Sequence, residues 1–203
     1  IKTILNQLER HGLHWDKNVI YQSERQAQYQ LALDGLSTRK LIFACECSRS
    51  RLRQSGGVYD GRCRERQISF SNSAIRLKVP QTCLNDQVKI FDRIFGEYCQ
   101  HLASDTGDFV LKRRDGLFSY QFASVVDDQF QGVTHIVRGG DLLESAPRQV
   151  YLQNCLGYKN LDYAHIPLVK NKHGQKLSKQ NQAKPAAKSW RDLAKKYVGK
   201  PED

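Results

Sequence analysis

At 203 residues the chain has room for one large domain, or one domain with a small insertion, around a proper core. Hydrophobic residues make up 39%, the mean hydropathy is −0.62, and no apolar run approaches the ~18 residues of a membrane helix, so a soluble globular protein is expected. The formal charge of +11 favours a polyanionic partner, nucleic acid first, and six cysteines without regular disulfide-type spacing suit a reducing, cytoplasmic setting.

In chain order, Ile4, Leu5 and Leu8 recur at helical spacing, and Gly12 is a natural stop. His11 and His14 lack a partner pattern and read as surface residues. Ser23 is placed to cap a helix from Glu24 to about Leu36, with Tyr29, Ala32, Leu33 and Leu36 facing inward. Leu41-Ile42-Phe43-Ala44 predicts a strand that ends at Cys45-Glu46-Cys47. Tyr59 and Cys63 follow within a glycine-containing stretch that lets the chain fold back. A C-x-C offers two thiolates from one turn, and zinc takes four soft or borderline ligands in a tetrahedron. Two readings stay open on the pattern: a metal cluster of Cys45, Cys47 and Cys63, or buried cysteines beside a core tyrosine.

Ile75, Leu77 and Val79 alternate with polar residues, predicting a half-exposed strand that pairs with residues 88–91. Cys83 and Cys99 have no mutual spacing and read as free thiols. Residues 109–114 form a strand leading to an Asp115-Gly116 turn. Tyr120, Phe122, Ala123, Val125 and Val126 then share one side of a helix, followed by Asp127-Asp128 and a turn at Gly132. The β-branched run 133–137 predicts a buried strand that delivers Arg138 to its end, where Gly139-Gly140-Asp141 turns the chain. Ligands of α/β sheets sit at such strand ends, which makes Arg138 and Asp141 site candidates. Without more context, a core tyrosine at 120 and a surface arginine at 138 are equally good readings.

Ser145-Ala146-Pro147 opens a helix that Gly157 stops, and residues 163–169 form the next strand. A turn at residues 171–174 leads to Lys176-Leu177-Ser178-Lys179-Gln180. Residues 159–200 hold eleven Lys and Arg against Asp162 and Asp192. Ser189 with Asp192 predicts a capped helix ending near Gly199, whose charge either meets RNA phosphates or forms a solvated face.

The run 120–128 ending in Asp127-Asp128, the run 132–141 carrying Arg138, and the loop 176–180 resemble, in that order, the catalytic core of the glutamyl-tRNA synthetases, a class I aminoacyl-tRNA synthetase family. The resemblance spans about residues 3–182. It implies an α/β, Rossmann-type core in residues 1–40 and 109–182, a small zinc-binding insertion in 41–108, and a basic C-terminal helix in 183–203. It implies ATP, Mg²⁺ and glutamate, with Tyr120 and Arg138 holding the amino acid. Lys179, helped by Lys176, would bind ATP and stabilise the charge that builds when a carboxylate attacks the α-phosphorus. A structural Zn²⁺ would be held by Cys45, Cys47, Tyr59 and Cys63, with Tyr59 resting on the resemblance alone. His165 would face the nucleotide side, Ser124 stands at a pocket position, and Asp141 is a weak ribose or adenine-side candidate. Activation through an adenylate needs no two-carboxylate device, so Asp127 and Asp128 are expected to build a polar network.

The KLSKQN run and the cysteine pattern resemble most the short branch of the family, whose acceptor is the queuosine base in the anticodon loop of tRNA(Asp). That tRNA is the expected partner, and the protein is expected to act as a monomer. The alternatives are a glutamyl-tRNA synthetase charging tRNA(Glu), and a catalytically silent, zinc-stabilised RNA-binding module. The chain has no methionine, starts at Ile1 and carries no match to the HIGH-type ATP motif. The expectation is a fragment lacking the first half of its nucleotide site, inactive until that segment is restored. Residues 181–203 are too few to hold the long helical anticodon-binding region of full-length glutamyl-tRNA synthetases.

Overall fold

Residues 2–54, 58–81, 86–171 and 173–176 are described by the computed structural model, and the chain falls into two units, Gln22–Leu168 and Ile1–Tyr21 with Val169–Asp203. In the second of these, α1 (Lys2–Arg10) ends as its spacing predicts, with Gly12 N donating to Glu9 O. At residues 170–176 the Asn171 Oδ1 accepts from His173 N and Gln175 N, and Lys170 bridges to Lys176. The side-chain oxygen thus closes the turn that the sequence predicts.

The larger unit begins with a single tight turn at Gln22–Glu24 and then α2 (Gln26–Thr38). Ser23 is therefore not the cap; the helix starts three residues later, behind Arg25, whose side chain is drawn to Asp127 instead. The inner face is as expected, with Tyr29, Leu33 and Leu36 buried and Ala32 packed against them. β1 (Ile42–Cys45) is buried throughout and is followed by α3 (Arg49–Gln54). β2 (Ala74–Leu77) lies between β1 and β5 (Phe109–Lys112), antiparallel to both. The expected pairing of this strand with residues 88–91 does not form, and the strand is not half-exposed. Arg76, its polar alternate, is buried with Nη1 on Asp108 O and its guanidinium 4.1 Å from the Tyr59 ring centre.

The second sheet has the order β4-β3-β7-β6. β3 (Gln87–Asp92) and β4 (Gly96–His101) form a hairpin, while β7 (Asp162–Ile166) runs parallel to both β3 and β6 (His135–Gly139). β6 is an edge strand with Val137 65% exposed, so the expectation of a buried strand at 133–137 fails on its outer side. Apolar β-branched composition marks a strand but does not tell an edge from an interior position. α4 (Leu102–Asp105) is a short connection to β5.

α5 (Tyr120–Gln131) starts at Ser119, whose hydroxyl accepts from Phe122 N, and stops at Gly132 in the left-handed region. A 3₁₀ segment (Gly140–Ser145) leads into α6 (Ala146–Leu156), which Gly157 ends in the same way. Phe122, Val125 and Leu152 from these helices pack with Leu33, Leu36, Leu77 and Leu111 in the main core. Ala146 and Val150 pack separately on Ile90 and Tyr163 of the second sheet. No helix among the described residues is long and apolar enough to cross a membrane.

Asp127 joins α5 to the start of α2. Its carboxylate accepts from Arg25 Nε at 2.6 Å, Tyr29 Oη at 2.7 Å and Gln22 Nε2 at 3.1 Å. Both charged side chains are only 8% exposed, so each depends on the other for solvation. Asp127→Ala leaves the Arg25 guanidinium buried without its anion, and urea unfolding should show a loss of about 3–5 kcal/mol.

Candidate functional site

Arg138 leaves the edge strand where parallel pairing with β7 ends, and the hydrogen-bond geometry around it is specific. Its Nε donates to His165 Nε2 at 2.9 Å, Nη1 to Gln149 Oε1 at 2.8 Å, and Nη2 to Leu142 O at 3.2 Å. The guanidinium also lies 5.5 Å from the Tyr163 ring centre. These acceptors take one N–H from each nitrogen, so each Nη keeps one for an incoming carboxylate. His165 is fully buried, stacks on Tyr163, and meets Asp92 Oδ2 through Nδ1 at 2.6 Å. Burial pushes the Asp92 carboxyl up, but hydrogen bonds from Phe95 N, the His165 ring, Ile94 N and His165 N outweigh it and hold it at about 2.

Tyr120, at the first position of α5, is 53% exposed and free to face a ligand. Tyr120, Asp128 and Arg138 all act electrostatically on the buried Tyr163 phenol. The phenol is raised by burial first; Gln153 and Arg138 pull it down while Asp128 and Tyr120 push it up. Asp127 belongs to a polar network with Arg25 and Tyr29, as expected. Lys176 lies in the other unit, and Lys179 is outside the described residues.

A second cluster closes the β1 end. The sulfurs of Cys45, Cys47 and Cys63 all lie within 4.8 Å of one another, with Cys47 and Cys63 3.6 Å apart. Two thiolates on a tetrahedral zinc at ~2.3 Å would be about 3.8 Å apart, so the spacing fits a metal. The Tyr59 hydroxyl accepts from Cys63 N at 2.8 Å and reaches the Cys45 and Cys63 side chains, so the fourth residue expected here is beside the sulfurs. Burial pushes the Cys63 thiol up, but the Tyr59 hydroxyl, Glu46 N and the other two cysteines bring it to about 7. Cys47 is pushed up to about 11 by burial and by its bonds to Cys63 and Cys45. Gly107, at φ +62°, passes so close that an added Cβ would sit 2.8 Å from both Tyr59 N and O. Cys99 is a free thiol as expected, and Cys83 lies outside the described residues.

Asp92 and Gln149 are absent from the sequence reading. Asp92 is 73 positions from His165, and no local motif links the two. The one sequence cue is Asp92 two residues before Ile94 in a hairpin, where its Oδ1 accepts from Ile94 N and Phe95 N.

The mixed α/β unit thus carries an arginine at the end of a parallel strand of one sheet and a cysteine cluster at the end of β1 in the other. The family described as "tRNA synthetases class I (E and Q), catalytic domain" matches residues 1–196, and the chain belongs to it. The glutamyl-Q tRNA(Asp) synthetase of Pseudomonas putida is 48% identical over 182 residues, covering 90% of this chain and 59% of the relative. The protein of the same name from Yersinia pseudotuberculosis is 48% identical over 182 residues, covering 90% of this chain and 54% of the relative. The chain therefore spans less than two thirds of the length of these relatives. A solved glutamate tRNA ligase from Elizabethkingia meningosepticum, in complex with its amino acid, superposes with a TM-score of 0.71 at 24% identity, covering 88% of this chain and 41% of that one. The fold is the class I synthetase catalytic-domain fold.

Burial pushes the Asp128 carboxyl up to about 6, with Arg138 opposing and Asp127 assisting. The unfolded chain gives up this proton near the ordinary value of 3.8, before the folded chain does, so the contribution to stability is complete below that pH and is lost as pH rises through about 6. The loss amounts to at most roughly 3 kcal/mol. Asp128→Asn should abolish this fall, read as the difference between variant and parent in denaturant unfolding from pH 4 to pH 8.

Proposed function

We propose that the protein carrying this chain activates glutamate with ATP and Mg²⁺ and transfers it to the queuosine base in the anticodon loop of tRNA(Asp). The observation that carries this reading is 48% identity over 90% of the chain to relatives named for that reaction. Arg138, oriented by three acceptors, takes a glutamate carboxylate on its two remaining Nη–H groups. A guanidinium held in this way needs little reorganisation as glutamate binds, so more of the binding energy goes into orienting the nucleophilic carboxylate. Tyr120 supplies an exposed ring and hydroxyl for the same amino acid. Lys179, with Lys176, stabilises charge on the α-phosphate and departing pyrophosphate, without covalent chemistry. The basic segment 183–203 contacts RNA phosphates irrespective of sequence, and the protein acts as a monomer in the cytoplasm.

The test is the acceptor. The whole protein should load labelled glutamate onto tRNA(Asp) that carries queuosine, and the label should stay with the anticodon fragment after nuclease cleavage. Label on the 3′ end of tRNA(Glu) would favour the glutamyl-tRNA synthetase reading instead. No label on either, with RNA binding intact, would favour a silent RNA-binding module.

Cys45, Cys47 and Cys63, with Tyr59 as the fourth residue, are read as holding one structural zinc in the insertion of residues 41–108. The insertion joins the catalytic part through the β2–β5 and β3–β7 pairings. With no open position, the metal ties β1 to the segment after residue 58 and takes no part in activation. Metal analysis after dialysis should find about one zinc per chain, as a closed tetrahedral site requires. A content below roughly half an equivalent rules the site out.

A further inference from the structure

Arg138 always donates, because an arginine side chain has no acceptor. Its Nε–H points at His165 Nε2, so that nitrogen must be bare, and the ring proton sits on Nδ1, where Asp92 Oδ2 receives it at 2.6 Å. The direction of each bond in this chain follows from the one before. Asp92 is itself locked, since Oδ1 accepts from Ile94 N at 3.0 Å and Phe95 N at 2.9 Å, and Oδ2 accepts from His165 N at 3.0 Å. The Asp92 and His165 side chains have no exposed surface, so neither can touch substrate directly.

We propose that Asp92 and His165 are positioning residues for glutamate recognition: Asp92 fixes the Nδ1–H tautomer of His165, and the bare Nε2 fixes the guanidinium of Arg138. This deepens the proposed function, on which its kinetic consequence rests. A buried carboxylate that sets a tautomer acts through proton placement as well as packing, which gives the proposal a sharp test.

Asp92→Asn keeps volume and shape. The amide oxygen is held on the Oδ1 side by Ile94 N and Phe95 N and, at 3.2 Å, by His165 N, so the NH₂ replaces Oδ2 and points at His165 Nδ1. Nδ1 must then become the acceptor, the ring proton moves to Nε2, and an N–H meets the Arg138 Nε–H head on. In the parent, ¹⁵N-resolved imidazole NMR should show His165 protonated on Nδ1, and Arg138 should give a slowly exchanging Nε–H resonance. In Asp92→Asn the proton should appear on Nε2 and the protected Arg138 signal should vanish. In glutamate-dependent pyrophosphate exchange, the same variant of the whole protein should raise KM for glutamate about tenfold or more, with a much smaller change in kcat and none in KM for ATP. His165→Gln, whose Oε1 can accept from Arg138, should retain most of the glutamate affinity, and His165→Leu should not.

An Nε2–H or doubly protonated His165 in the parent overturns the proposal. So does a folded Asp92→Asn with the switched tautomer and an unchanged glutamate KM. Should Asp92→Asn fail to fold, equal glutamate KM values for His165→Gln and His165→Leu overturn it as well. A parent inactive in exchange counts against the proposed function alone; the two NMR signals, and their loss in Asp92→Asn, still decide whether the network holds Arg138.

Discussion

The buried Asp92 carboxylate is the constraint on which the site region depends. A charge with no exposed surface survives only if its lone pairs are used, and Asp92 uses them on three backbone N–H groups and one imidazole. Those donors come from two places in the chain, the turn after β3 and the middle of β7. The same atoms that neutralise the charge therefore close the hairpin turn, register β3 against β7 and orient the ring that meets Arg138. The β3–β7 pairing itself is short, a single register pair at Asp92 and Tyr163, so the side chain carries much of what a longer ladder would.

The cysteine cluster follows another logic. Phe43, Cys45, Tyr59 and Cys63 form a small core of their own, distinct from the helical one. Arg76 covers the Tyr59 ring and reaches Asp108 O, while Arg64 and Val79 N both use Asp108 Oδ1. The strand that divides the first sheet is thus wired by polar groups to the cluster's aromatic wall. That accounts for a buried arginine at a position where alternation predicts a solvent-facing one.

What could be read from the sequence was local. The stops at Gly132 and Gly157, the inner face of α2 and the strand running into Cys45 all follow from spacing and from residues whose backbone preferences dominate. The misreadings were of partners. Residues 74–77 and 88–91 are both in strands, but nothing in either states that the first joins β1 and β5 and the second joins β4 and β7. Ser23 has the chemistry of a cap, yet the pull of Asp127 on Arg25 delays the helix to Gln26. Family motifs single out Arg138 and Tyr120 as candidates. No motif singles out Asp92 or Gln149, since each meets its partner, His165 or Arg138, only when separate elements come together.

The two neighbours of β3 differ in what it costs the chain to form them. The hairpin with β4 closes through Arg93, Ile94 and Phe95, whereas pairing with β7 closes a loop from Asp92 to Tyr163. Loop-closure entropy rises with the logarithm of loop length, and the longer loop must be ordered before any contact rewards it. On these grounds the hairpin is the less costly of the two pairings to close, and the Asp92–His165 contact belongs to the more costly one. The arginine site is therefore assembled from a local hairpin turn and a long-range strand pairing together, and neither alone orients the guanidinium.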